Sequence, residues 1–339
     1  MRCPDTRELG RRVFPNRAGM CLFATGNLDP LRLMRSAEEL FAVVAYRAGL
    51  TPERTVLDRI RAVARDAPWV EPALAARVRF LPGSRGGGRL RFRVITRMAG
   101  EHEFRRAEFQ RAIERGLSER SDHSWRLVDA DAEVEFWATL IGDELFLAIR
   151  LSDESLRQRD YKVAHIPGSL RPSVAAALGL LSRAQPDDIV LDPFCGAATI
   201  LIERAHLARY QLLLGGDTDR SALEAARANI GPRYKPLELH DWDAAAIPLP
   251  DHHISRIITN LPWGSKHGSP AENRRLYPRL MREFARLLQA GGIAVMLSSE
   301  SQLMAKVLGD GPLRLAQALP VSILGARASI YVCSPRAAR

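Results

Sequence analysis

The chain is short of several things, and each shortage closes off a class of protein. Its 339 residues hold four cysteines, Cys3, Cys21, Cys195 and Cys333, scattered with no C-x-x-C pair. That spacing offers neither a zinc site nor a disulfide framework, so no metal is expected, and it fits a reducing cytoplasm. No apolar run approaches the ~20 residues of a membrane span, and MRCPDTRELGRR at the N-terminus lacks the apolar stretch of a secretion signal. Lysine is nearly absent: only four of the 49 basic residues are lysine (162, 235, 266 and 306).

Positive charge itself is plentiful. The net charge of +10 favours a polyanionic partner such as nucleic acid, and the arginine fork suits phosphate. An arginine skew also follows from genomic composition, so it does not decide the matter alone. The 46% hydrophobic fraction supplies an ordinary core, and the length predicts two or three domains.

The second half alternates strand and helix patterns. DDIVLD (187–192), QLLLGGD (211–217), PLELHDWD (236–243), SRIITN (255–260) and GGIAVMLSS (291–299) read as strands. TILIERAHLARY (199–210), RSALEAARANI (220–230) and ENRRLYPRLMREFARLLQA (272–290) read as the helices between them. VSIL and ASIYVCS, split by GAR, predict a closing hairpin. The expected fold is α/β: a doubly wound, mostly parallel sheet with an antiparallel C-terminal hairpin. Before it, RFRVITR, AEFQRAIERGLSER and WRLVDADAEVEFWATLIGDELFLAIRL predict a small α+β unit, while SAEELFAVVAYRAGL mixes both periods.

Three acids close successive strand candidates: Asp192, Asp217 and Asp243. Ligands of open parallel sheets bind at this carboxyl edge. Asp192-Pro193-Phe194-Cys195-Gly196-Ala197-Ala198-Thr199 then joins a strand to a helix N-terminus, whose free N–H groups suit a carboxylate. It differs from the G-x-G-x-x-G fingerprint, which has no leading acid. An acid followed by small residues suits a ligand carrying both ammonium and carboxylate, as S-adenosylmethionine does. Asp217 is placed for ribose hydroxyls and Asp243 for an adenine amine. One acid at a strand end is common turn chemistry; three in succession with the loop are more specific.

TNLPWG (259–264) falls across the same edge. The side-chain oxygen of Asn260 and the carbonyl of Leu261 are placed to accept the two N–H groups of an exocyclic amine, with Pro262 shaping the turn. Trp263 is expected to stack on the base, worth about 1–3 kcal/mol.

DPFCGAATILIERA and TNLPWG together resemble the class I methyltransferase domain of THUMP-containing RNA guanine-N2 methyltransferases. FRVITRMAGEHEFRRAEF and HIPGSLRPSVAAAL follow that family's order. The resemblance implies a divergent or truncated N-terminal ferredoxin-like region (1–85), a THUMP RNA-binding domain (86–152), a linker (153–168) and a Rossmann-like methyltransferase domain (169–339). It implies S-adenosylmethionine as cofactor, held by Asp192, Cys195, Gly196, Ala198, Thr199, Asp217, Asp243 and Asn260. It implies a tRNA partner; a monomer acting in the cytoplasm is expected. Arg91, Arg93, Arg97, Arg105 and Arg106 are the expected phosphate contacts, and the segment of His165 and Leu170 is expected to cover the cofactor.

The sequence departs from the family where Ala197-Ala198 replaces Ser-Gly, and a Cβ at 198 is expected to crowd the cofactor. Methylation of ribosomal RNA and an RNA-binding protein that has lost catalysis stand as the alternatives. Cys195 is expected to pack the loop rather than act as a nucleophile. His240 and Asp241 read as structural, Trp69, Trp125 and Trp137 as packing, and Lys266 and His267 as candidate phosphate contacts.

Overall fold

Alternation along RFRVITRMA puts Phe92, Val94 and Thr96 on a buried face and Arg91, Arg93 and Arg97 on the other. This strand lies in the first of two units, Met1–Leu156; the second is Arg157–Arg339. The computed structural model describes residues 6–13, 19–81, 83, 90–120, 125–264 and 269–336. The first unit runs β1 (Thr6–Val13), β2 (Gly19–Thr25), α1 (Asp29–Arg32), β3 (Phe41–Arg47), α2 (Val56–Arg65), α3 (Val70–Phe80), β4 (Arg91–Ala99), α4 (Arg106–Ser118), β5 (Arg126–Leu127), β6 (Val134–Ile141) and β7 (Glu144–Arg150). Among the described residues β1 and β2 pair only with each other, and the other strands of the unit form a sheet ordered β3-β7-β6-β4-β5. Ile60, Leu74, Phe109 and Ile113 from the helices share one core with Phe92, Phe136 and Leu147 from the strands. Gly116 lets α4 close on α2, since a Cβ there would sit 2.2 Å from the Arg61 carbonyl oxygen.

The expected boundary at 85/86 is corrected by this sheet. β3 pairs antiparallel with β7, from Phe41 opposite Arg150 to Arg47 opposite Leu145, and α2 and α3 bury into the same core. The strand was hard to read because a bulge between Val43 and Ala45 breaks its alternation.

The second unit runs α5 (Pro172–Leu181), β8 (Ile189–Asp192), α6 (Thr199–Ala205), β9 (Leu212–Gly216), α7 (Arg220–Ile230), β10 (Leu237–His240), β11 (Ile254–Asn260), α8 (Pro270–Leu287), β12 (Leu288–Ser298), α9 (Ser301–Gly309), β13 (Leu313–Ile323) and β14 (Ala326–Pro335). Its sheet is ordered β10-β9-β8-β11-β12-β14-β13, parallel up to β12, with β14 antiparallel to both neighbours. The doubly wound sheet with a closing antiparallel hairpin is therefore present. Central strands are buried on both faces: β8 is apolar up to Asp192, and β11 is buried from Ile254 to Thr259, with Ile257 and Ile258 at its centre.

α6 stops at Ala205, short of the expected Tyr210. The fully buried Arg204 guanidinium folds back to donate to the carbonyls of Ala208 (3.0 Å) and Gln185 (2.8 Å) and to the Asp188 carboxylate (2.8 Å). Asp188 also accepts from Ser255 Oγ at 2.9 Å and lies 3.5 Å from Arg256 Nε. This knot joins α6, β8 and β11 at the end opposite Asp192, and pairing offsets the cost of burying its charges.

The expected linker 153–168 divides in a different place. From Arg159 onward the chain packs on the second unit as a strap: Tyr161 is fully buried and its hydroxyl donates to Glu203 Oε1 at 2.8 Å. Among the described residues, no helix is long and apolar enough to cross a membrane.

Candidate functional site

β8 delivers Asp192 to the carboxyl edge with 1% of its surface exposed. Its Oδ1 accepts the Phe194 N–H at 3.3 Å, while Oδ2 has no hydrogen-bond partner among the described residues. The buried hydroxyls of Thr199 and Thr259 are likewise unpartnered. Burial pushes the Asp192 carboxyl up to about 7. Thr259, near enough to favour the charged form but making no well-formed bond, opposes that rise, as does the Phe194 amide; the Asp217 charge adds to it. A buried carboxylate oxygen without a donor is costly, and a cationic group would satisfy it.

The loop after Asp192 is braced from the next strand. Cys195 N–H donates to the Gly216 carbonyl at 2.9 Å, and Gly196, at φ +50, donates to Asp217 Oδ2 at 2.9 Å. The other Asp217 oxygen accepts the Asp219 N–H at 2.9 Å. Asp217 therefore fixes the loop itself, while each oxygen keeps a lone pair for a ligand hydroxyl. The Cys195 thiol is buried and faces the space beside Gly215, and burial pushes its pKa well up. Its side chain packs in a core cluster, and its own N–H is already bonded.

Ala198 stands in the left-handed region at φ +60, ψ 21. Its side chain packs into a small apolar cluster with Tyr161, Ile202, Ala226, Ile230 and Tyr234. A left-handed alanine costs about 1–2 kcal/mol of backbone energy. Thr199 opens α6 directly beside it.

Asp243 departs from its expected place. β10 ends at His240, and Asp243 lies three residues on, exposed, with Oδ1 accepting the Ala245 N–H at 2.9 Å and Oδ2 3.5 Å from Arg279. It is turn chemistry. Nearer the strand end the His240 and Trp242 rings stack 4.0 Å apart, only 2° from parallel. The signal for Trp242 was an aromatic two residues past a strand at the ligand edge.

In TNLPWG, Asn260 ends β11 and its Oδ1 accepts the indole N–H of Trp263 at 3.0 Å. Leu261 is buried, with its N–H donating to the Leu297 carbonyl at 3.0 Å. Among the described residues none donates to the Leu261 carbonyl. The Pro262 carbonyl accepts from Asn273 Nδ2 (2.9 Å) and from the Tyr277 hydroxyl (2.8 Å), which also meets Ser298 Oγ at 2.9 Å. Burial pushes the Tyr277 pKa well up, so it is a neutral donor. Gly264, at φ +68, leaves room for this arrangement, since a Cβ there would lie 3.0 Å from Asn273 Nδ2. Asn273 and Tyr277 escaped sequence reasoning; four apart on the buried face of α8, they were polar members of an apolar stripe. Trp263 is partly buried against the sheet core, with one edge committed to Asn260. Lys266 and His267 lie outside the described residues.

The strap reaches this edge through Ile166, whose Cδ1 would lie 3.3 Å from a Cβ on Gly196. Leu170 is buried and His165 exposed.

In the first unit, three of the five expected phosphate contacts already have acids. Arg93 pairs with Glu135, Arg97 with Glu39 at 3.2 Å, and Arg91 lies 3.9 Å from Glu133. The Arg97 guanidinium also lies 4.4 Å over the Trp137 ring. Arg105 and Arg106, at the start of α4, are exposed, with no carboxylate at ion-pair distance among the described residues. Trp125 packs against Phe92 and Phe136 as expected, whereas Trp69 is half exposed.

Residues 159–328 match the family model described as RMKL-like, methyltransferase domain. The chain is 31% identical over 261 residues to the tRNA (guanine(6)-N(2))-methyltransferase THUMP3 of Bos taurus, covering 72% of this chain and 51% of that protein. It is 32% identical over 225 residues to the tRNA (guanine(6)-N2)-methyltransferase of Thermus thermophilus, covering 65% of each. The chain spans about half the length of the mammalian relatives it matches. The crystal structure of TrmN from Thermus thermophilus matches with a TM-score of 0.74 at 26% identity, over 96% of this chain and 92% of that one. Fold, sheet order and family model agree: the chain belongs to the RMKL-like methyltransferase domain family.

Proposed function

We propose that this chain is an S-adenosylmethionine-dependent tRNA guanine-N2 methyltransferase, a monomer of the cytoplasm whose first unit is a THUMP domain that grips the RNA. One observation carries the reading. The adjacent parallel strands β8 and β11 end on Asp192, with an unpartnered buried oxygen, and on Asn260, whose amide oxygen is aimed by Trp263. The names of the relatives support guanine N2 as the acceptor and tRNA as the substrate.

When bound, S-adenosylmethionine supplies an electrophilic methyl group. Asp192 is the partner for its ammonium, and the free lone pairs of Asp217 are partners for its ribose hydroxyls. The flat His240–Trp242 pair offers the adenine a face. Gly196 and Thr199 leave the loop backbone open to the ligand. Asn260 Oδ1 and the Leu261 carbonyl each accept one N–H of the guanine amine, which localises its lone pair. The nitrogen becomes acidic as it is alkylated, so its proton passes to water late and no strong base is needed. The guanine must leave its stack to be reached, and Arg105 and Arg106 provide phosphate contacts that help offset that cost. The packing of Ala198 with Tyr161, Ile202 and Ala226 supports a working loop over a protein without catalysis.

The test is methyl transfer from labelled S-adenosylmethionine to tRNA transcripts, followed by nucleoside mass spectrometry. N2-methylguanosine is expected, and none from Asn260→Ala, which should still bind RNA. Methylation of another base, or wild-type turnover by that variant, would overturn the reading.

A further inference from the structure

Apart from the residues assigned to the reaction, one buried amide bridges two segments of the donor edge. Asn229, the penultimate residue of α7, is 1% exposed. Its Oδ1 accepts the Ala164 N–H at 2.8 Å. Its Nδ2 donates to the carbonyls of Ala164 (3.1 Å) and Ala197 (3.0 Å). Chemistry fixes the amide's orientation, because only the oxygen can face an N–H and only the NH2 can face two carbonyls.

Ala164 belongs to the strap and Ala197 to the loop that follows Asp192. Asn229 thus grips one strap residue by both of its backbone groups, as a neighbouring strand would, and turns its remaining N–H to the loop. Two residues beyond Ala164, Ile166 faces the missing Cβ of Gly196 at 3.3 Å. One residue beyond Ala197 stands the left-handed Ala198. Other polar anchors of the strap go to other elements: Tyr161 and Arg159 meet Glu203 on α6, Asp160 meets Arg233, and Lys162 donates to the Leu170 carbonyl.

We propose that Asn229 is a positioning residue for the donor site: its amide sets the separation of strap and loop, and through them the affinity for S-adenosylmethionine. This rests on the reading of that loop as the donor site. Asp at 229 would keep the size and the acceptor but turn a charged oxygen toward two carbonyls. Ala would leave the Ala164 N–H and the Ala164 and Ala197 carbonyls without this partner.

The experiment is calorimetric titration of the full chain with S-adenosylhomocysteine, alongside steady-state methylation. Asn229→Asp and Asn229→Ala are expected to weaken binding more than tenfold. KM for S-adenosylmethionine should rise in step, with kcat at saturation within about threefold and RNA affinity unchanged. Arg233→Ala, which frees the exposed Asp160 anchor and removes a guanidinium 5.9 Å from the Tyr234 ring, should bind within twofold of wild type. A folded Asn229 variant that also binds within twofold overturns the proposal. Should neither variant fold, hydrogen exchange on the wild-type chain decides. S-adenosylhomocysteine should slow exchange at Ala164 and Gly196 together, and protection of the loop without Ala164 overturns the proposal. A wild-type chain that binds no S-adenosylhomocysteine removes the donor-site reading itself, and this inference with it.

Discussion

The indole N–H of Trp263 donates to Asn260 Oδ1 at 3.0 Å, and this bond decides which way the amide points. An indole nitrogen can only donate, so the oxygen must face it and retains one lone pair for a substrate N–H. Trp263→Phe keeps the aromatic surface and loses the donor. It should lower kcat about tenfold, as for about 1.4 kcal/mol of transition-state stabilisation, with RNA affinity unchanged. Trp263→Ala should weaken RNA binding as well. A Phe variant with wild-type kcat would leave Trp263 a stacking residue alone.

Asp192 makes stability and ligand affinity run in opposite directions with pH. Its folded pKa of about 7 lies above the ordinary 3.8, so between those values the native state holds a proton that the unfolded chain has lost. Stability of the free protein should therefore fall as pH rises across that window, by about 1.4 kcal/mol per unit at most. Pairing with a cation favours the ionised carboxyl, so S-adenosylhomocysteine should bind more tightly at pH 8 than at pH 6. Denaturant melts and titrations of wild type against Asp192→Asn would check both trends. Equal pH slopes in the two proteins would remove Asp192 as their cause.

Tyr277→Phe removes the hydroxyl that joins Pro262 to Ser298 while conserving volume. Stability should fall by about 1–2 kcal/mol, the cost of a buried bond with partners left behind. If the network also holds the clamp, kcat should drop severalfold while S-adenosylhomocysteine affinity stays put. Loss of both in proportion would mark a general packing defect.

The arginines should separate by salt dependence. Replacing Arg105 and Arg106 together with Ala should weaken tRNA binding and flatten its slope against log salt by about one to two, roughly one for each phosphate no longer neutralised. Arg93→Ala should act mainly on stability, because it leaves Glu135 short of one of its two arginines. An unchanged slope in the Arg105/Arg106 variant would place the RNA elsewhere.

Ala198→Gly relieves a left-handed alanine but deletes a buried methyl, terms of about 1–2 and 0.8 kcal/mol respectively. The melting temperature should hardly move, and S-adenosylhomocysteine affinity should stay within twofold. A large gain in affinity would show that the methyl crowds the ligand after all.

What could be read from the sequence follows from where each signal is stored. β8 and β11 were legible because IVL and IIT are short β-branched and apolar runs, and Asp192 and Asn260 stood at their ends. Residues whose role depends on distant partners were not. Asn229 and Tyr277 looked like ordinary members of helical patterns, and nothing local ties them to Ala164 or Pro262. Arg97 looked free because Glu39 lies far from it in the chain. Asp243 was misplaced because HDWD continues the strand pattern past His240, where the backbone turns.

The sheet order also has a consequence for synthesis on the ribosome. Every ladder partner of β1 to β7 precedes Leu156, so the first unit can close while the second is still being made. The second cannot, because β14 lies between β12 and β13 and is translated after both. At about 5–20 residues per second, the nascent chain carries an unfinished sheet for roughly ten to forty seconds after the first unit is complete. Until β14 emerges, β12 presents an open, apolar edge, and chaperone holding is the step that would protect it.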